Sequence, residues 1–359
     1  MRIAILTHGV SPFGRRYAAV FEEFGHEARV FSLSAYEGAE AQGVHVVGPR
    51  DFKPWASAGR LKPYLKTLRP LRRTMRAYAP DILFAIFLTS AGTLACLSGH
   101  PHVVVSARGS DVYEKAGSRP WRTVFRWQAR RADLVVAVSE PLKALLVDPV
   151  GVDPDRILVC PAGIDTRVLP PIDPADRPDD GRILCTRAHK PVYDQATIVR
   201  AAARLRERGV PFRLAFVEGV GVEDTRALVA ERNLDDVTTF LPPYEFEELP
   251  RLMGEADVYL SASLSDGTSN SLLEAMATAT FPVVSDIPAN RPWVTHGETG
   301  LLFPTGDDEA LAGCLERALS DAALRASAAP RLRRTVEEQG DLRRNARRVL
   351  EAFERCLQA

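Results

Sequence analysis

The sequence predicts an α/β protein made of two tandem doubly wound domains that face a cleft. Short apolar segments alternate with segments of helical periodicity along nearly the whole chain, a pattern typical of parallel sheets covered by helices on both faces. The segment LPPIDPADRPDDG at 169–181 contains four prolines and four aspartates and predicts a linker. The length of 359 residues fits two domains of ordinary size.

The first domain is expected to span residues 1–168 and to begin with a strand, a helix and a second strand. Residues 2–7 form an apolar run, and apolar side chains at 17, 20, 21 and 24 recur at helical spacing until Gly25 ends the helix. Loops followed by helical stretches separate the later strands, which are expected at 28–32, 82–87, 103–106 and 134–138.

The second domain is expected to span residues 182–335 and to repeat the alternation. Its strands are predicted at 182–185, 212–217, 238–241, 258–260 and 281–284. Its helices are predicted at 195–207, 223–232, 247–253, 271–278 and 308–319. The Arg- and Ala-rich stretch 322–357 is expected to be helical, and a C-terminal helix at 336–359 is expected to pack back on the first domain.

Composition excludes several classes of protein. Hydrophobic residues make up 46% of the chain and charged residues 26%, which is the balance of a globular protein. No apolar run reaches the roughly 18 residues of a membrane span, and the start MRIAILTHG is too short and polar for a signal peptide. The five cysteines contain no CxxC pair, so free thiols in the cytoplasm are expected. His100 and His102 have no third partner at a useful spacing, so no metal is expected.

The charge is divided unevenly between the two halves. Residues 1–165 hold 22 basic and 15 acidic side chains, whereas the remainder holds 24 and 31. The basic segments 60–78 and 119–131 favour the surface of an anionic membrane, with peripheral attachment to its inner face. The alternative is a solvated helix face above a buried apolar stripe. Pro63 and Pro70 are expected to interrupt any helix over 60–78. Recognition motifs for nucleic acid are absent, so no such partner is expected.

The segment from 261 to 284 carries the most chemical information. Asp266 and Glu274 are separated by a small polar loop and the start of a helix. Free N–H groups and the positive end of the helix dipole favour a phosphate at such a junction. Two alternatives are structural: Ser271 and Glu274 fit a capping box, and Asp266-Gly267 fits an ordinary turn.

Taken together, these motifs resemble the retaining family-4 glycosyltransferases, which have the GT-B fold of two Rossmann-like domains and use nucleotide sugars. The family's nucleotide-sugar motif is an acid, seven residues, and a second acid that opens an EAMA-like helix. It stands here as Asp266 and Glu274–Ala277, with Asp where the family more often has Glu. Five other segments follow the family's order, namely GHE at 25–27, ADLVVAVS at 132–139, PAGID at 161–165, ADV at 256–258 and GETGLL at 297–302.

The resemblance implies roles for the donor-binding residues of the second domain. Asp266 would contact the sugar and Glu274 the ribose. Arg187 and Lys190 would hold the diphosphate, although the family has Gly where Thr186 stands and Lys where Val192 or Tyr193 stands. For Lys190, the alternative is a solvated loop charge. The base would lie near 241–243. The loop and helix start that would hold the diphosphate consist of Gly267, Thr268, Ser269, Asn270, Ser271 and Leu272.

The resemblance also implies an acceptor site in the first domain. Gly9 and Gly14 fill the place of the family's glycine loop, and the alternative for both is a plain strand-to-helix turn. Arg108 falls where many relatives have His near the transferred sugar, so it would hold a charged sugar or acceptor. Asp111 would bind a hydroxyl, and the alternative is a surface ion pair with Arg108.

The function predicted from the sequence is the transfer of a sugar from a nucleotide diphosphate, most often UDP or GDP, to an acceptor hydroxyl. By resemblance, the anomeric configuration is retained and no cofactor or metal is needed. The acceptor would be a sugar, a lipid-linked sugar or a polysaccharide, in polysaccharide, lipopolysaccharide or glycolipid synthesis. Two rival hypotheses are another GT-B enzyme, such as an epimerase or phosphorylase, and a non-catalytic relative that binds sugar or lipid or serves as a partner subunit.

Overall fold

The structure, a computed structural model, describes residues 1–9, 11–36, 38–48, 61–178 and 180–358. The chain forms two compact units. Unit 1 comprises Met1–Ala162 and Leu342–Ala359, and unit 2 comprises Gly163–Asp341. Each unit is built on one parallel sheet with helices on both faces, so the predicted class of two doubly wound α/β domains is confirmed.

The sheet of unit 1 has seven strands in the order β3-β2-β1-β4-β5-β6-β7, all parallel. The order changes direction between β1 and β4, and the carboxyl ends of strands at such a switch point are the usual ligand site. The central strands are apolar on both faces because helices cover both. The strands are β1 (Arg2–Thr7), β2 (Glu27–Ser32), β3 (Val44–Val46), β4 (Ile82–Ile86), β5 (Val103–Ala107), β6 (Leu134–Ala137) and β7 (Ile157–Val159).

The helices of unit 1 follow the strands in alternation. A buried π-helical turn at Leu88–Gly92 separates β4 from the helix that follows it. The helices are α1 (Pro12–Glu23), α2 (Leu61–Tyr78), α3 (Thr93–Ser98), α4 (Ser110–Tyr113), α5 (Arg119–Arg131), α6 (Glu140–Val147) and α13 (Leu342–Gln358). The last of these packs on α1 through Phe353, whose ring contacts Phe21 and Phe84.

Helix α2 contradicts the expectation that prolines interrupt this segment. It runs unbroken from Leu61 to Tyr78 with Pro70 inside it. Its apolar stripe is buried against α3 and the sheet, and this packing offsets the lost backbone hydrogen bond. A proline at the third position of a helix removes no intrahelical hydrogen bond, because the first N–H groups of a helix have no intrahelical partner. Residue 60, the first of the predicted basic segment, lies outside the described residues.

Unit 2 has a six-stranded parallel sheet in the order β10-β9-β8-β11-β12-β13. Its switch point lies between β8 and β11. The strands are β8 (Arg182–Cys185), β9 (Arg213–Val217), β10 (Thr238–Leu241), β11 (Val258–Ser261), β12 (Phe281–Ser285) and β13 (Leu301–Phe303). The helices are α7 (Gln195–Glu207), α8 (Val222–Glu231), α9 (Leu249–Gly254), α10 (Asn270–Ala277), α11 (Asp308–Ser320) and α12 (Ala322–Thr335).

The segment predicted as a linker belongs to unit 2 and is tied into its core. Leu169 is fully buried there, and Ile172 donates its N–H to the carbonyl of Thr278. Arg177 is also buried and donates to the carbonyls of Met253 and Ala256, both at 2.5 Å, and of Thr278 at 2.8 Å. This guanidinium therefore joins the ends of α9 and α10.

The C-terminal stretch forms two helices, Ala322–Thr335 and Leu342–Gln358. Helix α12 ends in a π-helical turn at Val336–Gly340, and Asp341 is extended before α13 begins. Gly340 is buried, with a Cβ position within 3.4 Å of the side chains of Val336, Leu273 and Trp293. Strands β3, β7 and β13 were not predicted, because three residues at a sheet edge are too few to show a period. Among the described helices, none has the length and hydropathy to cross a membrane.

Candidate functional site

Two loops meet at the switch point of the second sheet. Arg187 follows the end of β8, and Asp266 lies five residues after β11, the neighbouring strand. Gln195 at the start of α7 fixes the first loop by donating to the carbonyls of Arg187 and Ala188 at 3.1 Å. The sheet order therefore places these side chains at the edge where doubly wound domains bind ligands.

The guanidinium of Arg187 is the centre of a polar cluster. It donates from Nη2 to the Asp266 carboxylate at 2.6 Å. From Nη1 it donates to the hydroxyls of Ser269 and Ser271, each at 3.1 Å. Both members of the ion pair are largely buried. The sequence-predicted residues Arg187, Asp266, Ser269 and Ser271 are thus brought together.

Two tyrosines complete this cluster. The ring of Tyr193 lies under the guanidinium of Arg187, with 4.0 Å between the central carbon and the ring centroid. The hydroxyl of Tyr259 donates to Ser271 Oγ at 2.9 Å. Burial lowers the pKa of Arg187, but the Asp266 carboxylate and the nearby tyrosines outweigh it and raise the pKa above its ordinary value. Burial raises the pKa of Tyr259 to about 12, so its hydroxyl stays protonated.

Helix α10 begins at Asn270 with Ser269 as its N-cap, and not at Ser271 as predicted. The Ser269 hydroxyl accepts a hydrogen bond from the N–H of Leu272 at 3.3 Å, the geometry of an N-cap. A capping box between Ser271 and Glu274 is therefore wrong, because Glu274 lies in the second turn. Leu272 is corrected as well: its N–H serves the cap and its side chain is buried in the core. The remaining amides at the start of α10 are the groups that a helix leaves unpaired.

The other predicted donor residues differ in their surroundings. The N–H of Gly267 donates to its neighbour Asp266 at 2.8 Å, so this pair does form a local turn. The Thr268 hydroxyl donates to the Gly267 carbonyl at 2.9 Å. Lys190 is exposed and, within the described part of the chain, makes none of the hydrogen bonds of the Arg187 cluster. Glu274 is buried in α10.

This arrangement has the chemistry of an oxyanion site. A guanidinium fork, two hydroxyls and the first amides of α10 converge on one edge of the sheet, and all of them are donors. The helix dipole adds partial positive charge at the same place. Asp266 accepts a hydrogen bond from one arm of the fork, so an incoming anion competes with that carboxylate for Arg187.

In unit 1, Arg108 follows β5 and its side chain turns inward. Its guanidinium lies 4.0 Å from the ring centroid of Phe13, on α1. Its Nε and Nη1 atoms are enclosed. Burial lowers the pKa of Arg108 against the opposing effects of Tyr17 and Asp111.

Asp111 is a positioning residue, which corrects both predictions made for it. It is fully buried, so it forms no surface ion pair. Its carboxylate accepts the N–H groups of Leu88 at 2.7 Å and of Arg108 and Gly109 at 3.0 Å. Burial raises its pKa, and these three hydrogen bonds act in the opposite direction. Asp111 therefore joins the loops after β4 and β5 rather than offering its oxygens to a sugar hydroxyl.

The structure gives a different local reason for glycine at each of the two predicted positions. Gly9 adopts a φ of +60°, which favours glycine in the turn after β1. Gly14 lies inside α1, where a Cβ would stand 2.7 Å from Thr7 Cγ2. Its role is the close packing of α1 on β1, which corrects the expectation that it approaches a substrate.

Sequence reasoning did not assign Tyr193 or Tyr259 to the site. Tyr193 stands near the place of the family's lysine, which was a usable signal, whereas nothing in the sequence around Tyr259 distinguishes it from a core residue. Within the residues that the structure describes, there is no group of three His, Cys, Asp or Glu side chains placed to hold a metal ion.

Two family models match the chain in succession. Glycosyltransferase Family 4 matches residues 8–168, and Glycosyl transferases group 1 matches residues 173–335. The two matches together span most of both units.

Curated relatives share part of this sequence. A D-inositol 3-phosphate glycosyltransferase of Stackebrandtia nassauensis is 32% identical over 54% of this chain and 48% of its own length. An MMP alpha-(1->4)-mannosyltransferase of Mycolicibacterium hassiacum is 31% identical over 67% of this chain and 58% of its own length. The chain thus spans about half the length of the curated relatives that it matches.

Solved structures share the whole fold at low sequence identity. HepE of Anabaena in complex with UDP has a TM-score of 0.79 at 17% identity, covering 99% of this chain and 100% of that one. Sucrose-phosphate synthase of Thermosynechococcus elongatus has a TM-score of 0.79 at 19% identity, covering 99% of each chain.

Proposed function

This chain belongs to the family-4 glycosyltransferases, and from that premise we propose that it transfers a hexose from a nucleoside diphosphate sugar to an acceptor hydroxyl. The observation that carries the proposal is the Arg187 cluster at the start of α10. It offers donors to an oxyanion at the switch point of a doubly wound sheet, and a diphosphate has the charge and oxygens to accept them.

Each residue of the cluster has a role in the proposed donor complex. Arg187 binds the diphosphate and stabilises the charge that grows on it as the sugar leaves. The amides at the start of α10 bind the same group, and Glu274 binds the ribose. Asp266, released from Arg187 by the phosphate, accepts a hydroxyl of the sugar. Tyr193 keeps the guanidinium in place, since it stacks on it where relatives have a lysine.

The proposed transfer proceeds with retention of the anomeric configuration. The bond between the anomeric carbon and the phosphate oxygen breaks, and the acceptor oxygen attacks on the same face. The acceptor proton moves to the leaving phosphate oxygen, so no side-chain nucleophile is required. No cofactor takes part in this scheme, and the positive charge comes from Arg187 and α10.

The donor site predicts selective stabilisation by one nucleotide. UDP, GDP, ADP and CDP are each added to the purified protein, with and without magnesium, and the melting temperature is measured. One of them is expected to raise the melting temperature, because a ligand at a hundredfold excess over its Kd adds about 2.7 kcal/mol. Glu274→Ala is expected to lose the shift. Glu223→Ala, which removes an exposed acid at the start of α8, is the matched control.

The outcomes of that titration separate the candidate functions. A shift in the wild type and in Glu223→Ala, but not in Glu274→Ala, supports the donor site and names the base. No shift with any nucleotide in a folded sample contradicts it and favours a non-catalytic binding or partner role. A separate assay with the corresponding nucleotide sugar tests the rival enzymes, because release of free nucleotide only when an acceptor is present excludes an epimerase or a phosphorylase.

We also propose that the acceptor lies at an anionic membrane surface, as expected for glycolipid, lipopolysaccharide or polysaccharide synthesis. Helices α2 and α5 both pack against α3, on one face of the first sheet. Their outward faces are rich in Lys and Arg. Leu65 and Trp127, which are 61% and 39% exposed, project among those charges. An exposed apolar side chain within a basic face is the pattern of an interfacial helix.

Vesicle sedimentation tests this proposal. The protein is expected to sediment with phosphatidylcholine vesicles only when phosphatidylglycerol is also present. Changing Lys66, Arg69 and Arg73 to Gln is expected to weaken binding about a hundredfold, at about 1 kcal/mol for each charge. The control changes Arg232, Arg251 and Arg291 of unit 2 to Gln. Equal sedimentation with neutral and anionic vesicles would contradict a membrane role.

A further inference from the structure

The strongest unexplained feature of unit 1 is the environment of Arg108. Its Nε and Nη1 atoms are buried and have no hydrogen-bond partner among the described residues. The ring of Phe13 covers one face of the guanidinium. An aromatic ring satisfies none of the N–H donors, so the guanidinium keeps hydrogen-bonding capacity that the described residues do not use.

Among the described residues, no carboxylate is bonded directly to this guanidinium, although the charge of Asp111 acts to raise the pKa of Arg108. Asp111 is the acid nearest in sequence, but its oxygens accept three backbone N–H groups. Within the described part of the chain, no Asp or Glu forms an ion pair with Arg108. Burying a charge without a partner is costly, and buried charges in proteins are normally paired or bound to a ligand.

A buried hydroxyl, that of Tyr17, shares this environment. The Tyr17 hydroxyl lies close enough to the guanidinium for each to shift the pKa of the other, yet it completes no hydrogen bond of normal length and angle. The guanidinium and this hydroxyl therefore carry N–H and O–H donors that the described residues leave unused.

We propose that Arg108 and the Tyr17 hydroxyl bind an anionic group of a substrate, a phosphate or a carboxylate. The guanidinium fork matches the oxygens of either group, and in this buried place the bond is stronger than in water. A neutral imidazole, which the resemblance places here in many relatives, carries no such permanent charge. Describing the bound anion as part of a substrate rests on the proposed function. The binding of an anion by Arg108 and Tyr17 does not depend on that function.

Phosphate binding at Arg108 is measured in protein variants that lack Arg187, so that phosphate bound at the proposed donor site does not contribute. Inorganic phosphate is titrated by calorimetry into Arg187→Gln and into Arg187→Gln/Arg108→Gln. The first variant is expected to bind phosphate, and the second at least tenfold more weakly. Equal affinity in the two variants would overturn the proposal. The nucleotide-induced rise in the melting temperature of Arg108→Gln alone is expected to match that of the wild type. Loss of the donor site and loss of the anion site therefore give different results.

The melting temperature in phosphate-free buffer gives a second readout. If the guanidinium is kept for a ligand, Arg108→Gln melts at or above the wild-type temperature, because it removes a buried unpaired charge. Phosphate then raises the melting temperature of the wild type and not of Arg108→Gln. A lower melting temperature for Arg108→Gln assigns the side chain to the core and overturns the proposal. Tyr17→Phe, which changes no charge, is expected to weaken phosphate binding about threefold to tenfold.

Two sugar probes identify the source of the anion. Glucose 6-phosphate and glucuronic acid are titrated into Arg187→Gln and into the double variant. If only glucose 6-phosphate shows binding that depends on Arg108, the substrate is phosphorylated. If only glucuronic acid does so, the substrate is a uronic acid. Dependence of both on Arg108 supports a general oxyanion site. Binding of neither, together with no binding of inorganic phosphate, overturns the proposal.

Discussion

Replacing Arg187 by Met is expected to lower kcat by about a hundredfold to a thousandfold, the usual effect of removing one donor to a growing negative charge. The physical reason is the place of this side chain, at the switch point and next to the first amides of α10. The nucleotide-induced rise in melting temperature should fall as well, since the guanidinium also binds the ground state. Steady-state kinetics with the donor named by the melting titration measures both effects.

The controls for this variant separate charge from geometry. Arg187→Lys keeps the charge without the fork, and its kcat is expected to lie between those of the wild type and Arg187→Met. Arg187→Met/Asp266→Asn removes the carboxylate that would otherwise be left unpaired. Arg200→Met, which breaks a half-exposed contact between α7 and Asp308, is the matched control outside the site. Wild-type kcat/KM in Arg187→Met would refute the proposed role.

The largest effect on stability is expected for Arg177→Ala, with a loss of about 3 kcal/mol or more in the free energy of unfolding of unit 2. Its side chain makes three charge-assisted hydrogen bonds to backbone carbonyls at the ends of α9 and α10. Burial lowers the pKa of Arg177 to about 10, and the group remains charged at neutral pH. Truncation removes these bonds and leaves a cavity where the long side chain was packed.

Hydrogen exchange measured by mass spectrometry resolves this effect by region. Arg177→Ala should speed exchange in peptides from α9 and α10, whereas peptides from unit 1 should be unchanged, because the side chain contacts unit 2. Arg177→Lys should recover only part of the protection, since one ammonium group cannot reach three carbonyls in the same way. Arg167→Ala, which removes an exposed arginine bonded to Asp165, is the control. Unchanged exchange in Arg177→Ala would show that the three bonds add nothing.

Most of the Arg187 cluster could be predicted from the sequence because its residues follow strand ends. Arg187 follows β8 and Asp266 follows β11, and the alternation of strands and helices is enough to place both at one edge of a parallel sheet. Ser269 and Ser271 lie at the start of the next helix for the same reason. The chemical argument for a phosphate then needs only the residue types and their order.

The errors at the site arose where the partner is distant in sequence. Asp111 looks like a ligand for a hydroxyl until the loop after β4 supplies the N–H of Leu88. Gly14 looks like part of a substrate loop until the side chain of Thr7 is placed beneath it. Local sequence does not show which neighbour a side chain will meet, so both residues were assigned to function rather than to packing.

The sequence by itself determined the alternation of strands and helices, the doubly wound class of both units and the family, because these depend on periodicity and on the order of motifs. Only the tertiary structure decided that α2 continues through Pro70 and that Arg177, in the supposed linker, binds three carbonyls of unit 2. It alone also showed that the Nε and Nη1 atoms of Arg108 are buried without a hydrogen-bond partner among the described residues. These outcomes depend on long-range packing, which offsets local propensity and decides whether a buried polar group finds a partner.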